Sequence, residues 1–165
     1  MAKKKKFPTE GYLYAFDLSM SCTGLVIFDI TTLNPVKIMS TETNDKLEHG
    51  ERLNVFREEW SKVIKEYTPT EVTIERGFSR FNTSTQVIYR VHGVCNELFS
   101  SYPQTYYPPK SVKEAILKGD ASKAKVRERI EKEYPDLNFN NEDESDAFAV
   151  GLTHLIKTKR LIWKK

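Results

Sequence analysis

The sequence predicts an α/β domain, a mixed sheet with helices packed on it. Three observations carry the prediction: three short aromatic and aliphatic runs close together near the start, apolar stripes at helical spacing after them, and two short apolar runs set between those stripes. Residues 12–17 (Tyr-Leu-Tyr-Ala-Phe-Asp) are apolar without a helical stripe and predict a strand. A second strand is expected at 25–30, running into the turn Thr31-Thr32-Leu33-Asn34-Pro35, and a third at 36–41. Connections this short make the three an antiparallel meander.

Leu53, Phe56, Trp60, Val63, Ile64 and Tyr67 recur at helical spacing and predict one long amphipathic helix ended by Pro69. Residues 71–75 (Glu-Val-Thr-Ile-Glu) form a short buried strand finishing in a carboxylate, and 83–99 a helix with the face Val87, Val91, Val94, Cys95 and Leu98. Residues 105–107 predict a strand before two prolines. Ser111 with Glu114 has the capping-box pattern of a short helix closed by Gly119. Helices at 124–134 and 147–156 complete the order βββ-α-β-α-β-α-α-α.

Composition narrows the classes. With 39% hydrophobic and 30% charged residues, the chain is neither a disordered polymer nor collagen-like. No apolar run approaches the roughly 18 residues of a membrane span, so no membrane association is expected. Lys3 to Lys6 are followed by Phe7-Pro8-Thr9-Glu10 rather than an apolar run, which does not fit a secretory signal. Cys22 and Cys95 lack the spacing of a zinc site or disulfide framework, and a reducing, cytoplasmic setting follows. One domain over 1–165 is expected, with basic tails at 1–9 and 157–165.

The net charge of +3 is unevenly spread: the tails hold nine of the 26 cations and no acid, leaving −6 for residues 10–156. Within that span residues 76–132 carry 11 basic and 5 acidic residues. Cations set beside concentrated carboxylates suit a polyanion, although a single charged run is more often a solvated face.

Asp17 and Glu75 each end an apolar strand, where a charge is expensive unless paired or metal-bound. Asp143 and Asp146 lie three apart where the last helix begins and can share a face. Four carboxylates converging would raise one another's pKa, and divalent cations would relieve the repulsion, with hard oxygen ligands suiting Mg²⁺ or Mn²⁺. Two such ions can activate a water and stabilise the leaving oxygen of a phosphodiester. The plainer alternative is that the acids at 143–146 favour a helix N-terminus. Asp17-Leu-Ser-Met-Ser-Cys-Thr-Gly24 also allows a phosphate-binding hairpin of the actin-like kind, or an ordinary polar turn.

These residues resemble those of the RuvC-type Holliday junction resolvases, particularly the phage-encoded branch. Asp17 opens the match and Glu75-Arg-Gly-Phe78 resembles the family's Glu-x-x-Phe. Tyr107-Pro-Pro-Lys-Ser-Val-Lys113 and Gly119-Asp-Ala-Ser-Lys123-Ala-Lys-Val126 resemble the stretch carrying two functional lysines, and Asp143-Glu-Ser-Asp146-Ala147 the closing Asp-x-x-Asp-Ala. Cellular members have a glycine soon after the first acid; Asp17-Leu-Ser19 agrees better with phage members.

The resemblance implies a ribonuclease H-like fold with a five-stranded sheet, and a homodimer that nicks four-way or other branched DNA symmetrically. It implies Asp17, Glu75, Asp143 and Asp146 as catalytic metal ligands for two Mg²⁺ ions, with Mn²⁺ substituting. Lys113 and Lys123 become cations near the scissile phosphate, Lys123 assisting catalysis, and Phe78 an aromatic against unpaired bases.

Beside it, Arg76, Arg80 and Arg90 interleave with Phe78, Phe81 and Tyr89, a pattern suited to phosphates and exposed bases. Lys110, Lys113, Lys118 and Lys125 are expected along the DNA backbone, although singly each is more often solvated. His92 and His154, among apolar neighbours, fit core or surface roles better than ligation. The rival functions are a non-catalytic junction-binding protein of the same fold, a small actin-like ATP-binding module, and ribonuclease H activity on hybrids.

Overall fold

The computed structural model describes residues 6–77 and 82–165. Strands β1 (Tyr12–Asp17), β2 (Cys22–Asp29) and β3 (Pro35–Glu42) form the expected meander. Helix α1 (His49–Glu66), β4 (Pro69–Glu75), α2 (Asn82–Leu98) and β5 (Gln104–Tyr107) follow, then α3 (Pro109–Ile116), α4 (Lys123–Glu133) and α5 (Glu142–Lys157). The five strands stand in the order β3-β2-β1-β4-β5, antiparallel across β3, β2 and β1 and parallel from β1 through β4 to β5.

Side-chain alternation divides each inner strand between two cores. Leu13, Ala15, Val26 and Phe28 join Phe148, Val150, Leu152 and Leu155 of α5, with α3 and α4 closing the layer through Val112, Ile116, Val126 and Ile130. Tyr14, Phe16, Leu25, Ile27, Val72 and Ile74 face the other way, onto Phe56, Trp60 and Val63 of α1 and Val91 and Cys95 of α2. The period-2 rule puts Asp17 on the α5 face with Leu13 and Ala15, and Glu75 there with Glu71 and Thr73.

Helix α5 lies unusually close to the sheet. A Cβ on Gly151 would stand 2.2 Å from Phe28 and 2.9 Å from the Ala15 methyl, so only hydrogen fits where the helix crosses β1 and β2.

Several boundaries move for local reasons. Helix α1 begins ahead of its apolar stripe because Glu48 and Glu51 form a reciprocal capping box. Pro69 opens β4 as well as ending the helix before it. The capping box expected at Ser111 does not form: α3 starts at Pro109, whose fixed φ and missing N–H suit a first helical position, and Ser111 lies inside the helix. Helix α5 begins at Glu142, capped by Asn141, whose side chain accepts from the Glu144 N–H at 3.0 Å.

The C-terminal tail is docked: Trp163 Nε1 donates to the Ile116 carbonyl at 2.8 Å, its ring stacks on Tyr134, and Arg129 covers it at 4.6 Å.

Candidate active site

The C-terminal ends of two parallel neighbours and the start of α5 meet on one face of the sheet. β1 delivers Asp17 there, β4 delivers Glu75, and the first two turns of α5 deliver Asp143 and Asp146. Gly24, paired with Asp17 across the β1–β2 ladder, makes the meeting possible. A Cβ at Gly24 would fall 1.9 Å from the Asp143 carbonyl oxygen and 3.0 Å from the Glu144 nitrogen, so the helix start rests directly on strand backbone.

Glu144, 1% exposed, anchors this contact: it accepts from the Asn140 N–H at 2.7 Å and from Ser40 at 3.3 Å, while Asn141 donates to Ser40 at 2.9 Å. Of the acids at the helix start, Glu144 therefore fastens α5 to β3, and Asp143 and Asp146 turn to the sheet ends.

Electrostatics show how close the carboxylates are. Burial, and after it Glu75, Asp146 and Asp143, push Asp17 up to about 8 against the opposing charge of Lys123. Burial and Asp146 push Glu75 to about 7, opposed by Lys123 and Lys113. Burial and the neighbouring acids Glu142 and Asp143 also raise Asp146, against Lys123. The Lys123 ammonium bonds Asp146 directly, and although burial disfavours its charge, Asp146, Asp17 and Glu75 together raise its pKa. A small cavity of about 30 Å³ opens among Glu75, Lys113, Lys123, Asp146 and the apolar Val112 and Val126.

Asp143 lies toward the margin, hydrogen-bonded to the Cys22 thiol, whose pKa burial and this contact raise to about 12. Cys22 beside the site was not expected from the sequence; only its place in the polar turn after Asp17 hinted at it.

Among the described residues no three acid, His or Cys side chains are drawn into a ready-made cation cage. The donor chemistry nevertheless fits a hard divalent ion: several carboxylate oxygens, mutually repelling and only partly neutralised by one ammonium.

The structure gathers Asp17, Glu75, Asp146, Lys113 and Lys123, with Asp143 at the edge. Lys110 is exposed on α3, and Lys118 and Lys125 line grooves on the outer α3–α4 surface, Lys118 standing 3.9 Å from Asp120. These three do not share the carboxylate pocket. Arg76 is exposed immediately after β4, and Phe78, Arg80 and Phe81 lie outside the described residues.

Two of the three hydroxyls after Asp17, those of Ser19 and Thr23, bond within their own turn. Ser19 Oγ donates to the Cys22 carbonyl at 2.8 Å and Thr23 Oγ1 to the Ser19 carbonyl at 2.9 Å. This is a closed polar turn rather than a phosphate cradle, which removes the basis of the ATP-binding alternative. Of the core and surface roles open to them, His92 and His154 take the core, 4% and 1% exposed.

The family model for crossover junction endodeoxyribonuclease RuvC matches residues 20–154, a span that includes Glu75, Asp143 and Asp146 and begins just after Asp17. The RuvC of Wolbachia sp. subsp. Brugia malayi (strain TRS) is 29% identical over 153 residues, covering 87% of this chain and 93% of that one. That of Xanthobacter autotrophicus is 30% identical over 148 residues, covering 86% and 88%. In fold the chain resembles T. thermophilus RuvC in complex with Holliday junction substrate, with a TM-score of 0.81 at 19% identity over 91% of this chain and 96% of that one. With the sheet order, the carboxylates and these matches in hand, the chain belongs to the crossover junction endodeoxyribonuclease RuvC family.

Proposed function

We propose that this protein is a metal-dependent endonuclease that resolves four-way DNA junctions by paired, symmetric phosphodiester hydrolysis. The observation carrying the reading is the group of Asp17, Glu75 and Asp146, contributed by β1, β4 and α5 on one face of the sheet, mutually destabilised and accompanied by Lys113 and Lys123. Asp17, Glu75 and Asp146 would hold the metal, with Asp143 turning in from its thiol contact. Two Mg²⁺ ions, or Mn²⁺ in their place, would supply Lewis-acid activation of water and neutralisation of phosphate charge.

The chain's own groups act around that chemistry. Lys123 holds a positive charge among the carboxylates before substrate arrives. Its exchange from Asp146 to a phosphate oxygen frees a ligand position and places a cation where charge builds up in the transition state. Lys113, on the Glu75 side of the pocket, orients the phosphate. The apolar wall of Val112, Val126 and Ala149 limits water at the site. Lys110, Lys118, Lys125 and Arg76, with Phe78 and Arg80, would steady the DNA around this centre. DNA in the cytoplasm is the proposed setting, and no described helix is long and apolar enough to cross a membrane.

A homodimer would give two such sites the two-fold symmetry of the junction. The Val87, Val91, Val94, Cys95 and Leu98 face of α2 packs toward the sheet and α1. The opposite face carries the exposed Gln86, Arg90, Gly93 and Glu97. A Cβ at Gly93 would meet no atom of the described residues within 4 Å, so no contact among them requires glycine in mid-helix, where it costs about 1 kcal/mol relative to alanine. Close approach of a second copy accounts for it. Gly93→Arg is expected to leave a folded monomer by sedimentation, and an unchanged dimer would remove this face from the interface.

The deciding experiment incubates a labelled four-way junction and the matching linear duplex with the protein, in Mg²⁺ or EDTA. Symmetric nicks in the junction alone, and in metal alone, are expected. Junction binding without cutting in any divalent metal would favour the non-catalytic alternative.

A further inference from the structure

On the opposite face of the sheet from the carboxylates, a second concavity opens beside the end of β4. It has a volume of about 370 Å³ and is lined by Arg76, Gly77, Tyr89, His92, Asn96 and Tyr106. Neither the carboxylates nor the two lysines of the active site border it.

His92 is the unusual member. It is 4% exposed, and its Nε2 has no hydrogen-bond partner among the described residues, an uncommon and costly condition for a buried ring nitrogen. The ring lies between two phenols: Tyr106 is nearly parallel to it (6.4 Å, 23°) and Tyr89 tilted (5.7 Å, 48°). Gly77 keeps the space open, since a Cβ there would stand 3.1 Å from the same Nε2 and 2.7 Å from Ile88. Burial lowers the His92 pKa, so the ring is held neutral and offers one nitrogen as donor and the other as acceptor.

The far wall is already fixed. Asn96 donates to Gln104 at 2.7 Å and contacts the Tyr106 hydroxyl, while Gln104 donates to the carbonyls of Asn96 and Phe99 at 3.1 and 3.0 Å. The rim carries the exposed Arg76, which has no ion pair among the described residues; Tyr89 is 54% exposed. Planar rings, an unsatisfied polar nitrogen and a free guanidinium in one groove match a planar heterocycle with a polar edge and an anionic group beside it. That is the description of a nucleotide.

Position identifies its source. Arg76 directly follows Glu75, about 3.8 Å away along the backbone, and its N–H is tied to the Tyr107 carbonyl at 2.8 Å. The groove and the carboxylate pocket are therefore two sides of one sheet edge. We propose that this groove captures an unpaired base of the strand held at the carboxylates, with His92 Nε2 hydrogen-bonding the base edge, Tyr89 and Tyr106 packing around it and Arg76 meeting its phosphate. The proposal rests on the nuclease reading for the strand's identity and adds to it a subsite that selects for a base able to leave its stack.

Two measurements on four-way junctions test it with the full-length protein. In the first, a single abasic site is moved one nucleotide at a time past the nick and single-turnover cleavage is followed in Mg²⁺. Wild type is expected to slow about tenfold at one position. His92→Phe, which keeps the ring and removes the nitrogen, and Tyr89→Ala are expected to cut the intact junction about tenfold more slowly and to lose sensitivity to that position. In the second, 2-aminopurine is scanned through the same positions in EDTA. Fluorescence at one position should change on binding wild type and not on binding His92→Phe or Arg76→Ala.

Uniform tolerance of abasic sites, or wild-type cleavage by both His92→Phe and Tyr89→Ala, would overturn the pocket while leaving the nuclease reading intact. A wild-type protein that binds the junction and cuts nothing would sink the nuclease reading, and the fluorescence scan would then decide the pocket alone. A wild-type protein that binds no junction overturns both.

Discussion

Strand β4 carries two glutamates on the same face, four residues apart, under opposite electrostatic conditions. At its start, Glu71 is 3% exposed and accepts from His154 Nε2 at 3.1 Å and from the Arg160 guanidinium. Burial alone would push its pKa up; the hydrogen bonds and charges of His154 and Arg160 outweigh that and hold it below the ordinary value. Tyr107 braces His154 at 2.9 Å, and Arg160 also bonds the Pro8 carbonyl and covers Phe7. At the strand's end, Glu75 has cations only nearby and further acids facing it, and its pKa rises to about 7. Where the chain supplies its own cations, a buried carboxylate locks the fold. Where it stops short, the deficit is a demand for cations from outside.

The largest expected effect breaks the deficient end. Asp146→Asn should lower Mg²⁺-dependent junction nicking at least about 10³-fold, with binding in a gel-shift assay retained. Cutting near the wild-type rate would remove Asp146 from the site.

Gly24→Ala tests the backbone contact that holds that end together. The added methyl must displace the start of α5, so a loss of about 10²-fold in cleavage is expected, with a destabilisation of about 1–3 kcal/mol. Unchanged turnover would show that the helix can shift without cost to the chemistry.

Glu71→Gln probes the satisfied end. It leaves His154 and Arg160 around a neutral amide and should cost about 3–5 kcal/mol in denaturant unfolding at neutral pH, with cleavage per folded molecule within a fewfold of wild type. Because the folded pKa of Glu71 is depressed, its contribution is present above the ordinary carboxylate range. That contribution is lost as pH falls through the depressed value, so the gap between variant and wild type should close in acid. A gap constant with pH would exclude this ion pair as its origin.

The smallest effect has the reverse sign. The folded pKa of Asp17 is raised from 3.8 to about 8, so the metal-free protein has the full benefit below the unfolded value and loses it as pH rises toward 8. Asp17→Asn should therefore melt higher than wild type without metal by roughly 3–6 °C at pH 8, with the difference shrinking toward pH 4. Mg²⁺ should raise the wild-type Tm more than that of the variant. Equal melting curves at pH 8 would mean that Asp17 is relieved of its repulsion by some other route.

The sequence made the satisfied parts of the fold and the deficient acids legible for different reasons. Strands β1 and β4 could be read because apolar residues crowd them, and Asp17 and Glu75 stood out as charges ending those runs. The helical stripes of α1 and α2 were equally visible, since burial is repeated every three or four residues. What could not be read depends on contacts across the chain. Nothing local distinguishes Lys123, bonded to Asp146, from Lys118 or Lys125 on the outer surface. Glu144 and Asp143 are adjacent acids in one helical turn, and only the placement of β3 makes one an anchor. The role of Glu71 needed Arg160, 89 residues away. The start of α3 was misplaced because a capping pattern at Ser111 competed with proline at Pro109, and proline's fixed geometry prevailed.

The seat of α5 on Gly24 has a consequence for how this protein can change. Main chain rests there on main chain, so the reach between the first and last acidic groups is set by the thickness of a polypeptide. Exchanging side chains in the outer helices or in the loops leaves that ruler untouched. The scaffold can thus accumulate extensive substitution, and tune what it grips, while the reacting groups keep their spacing.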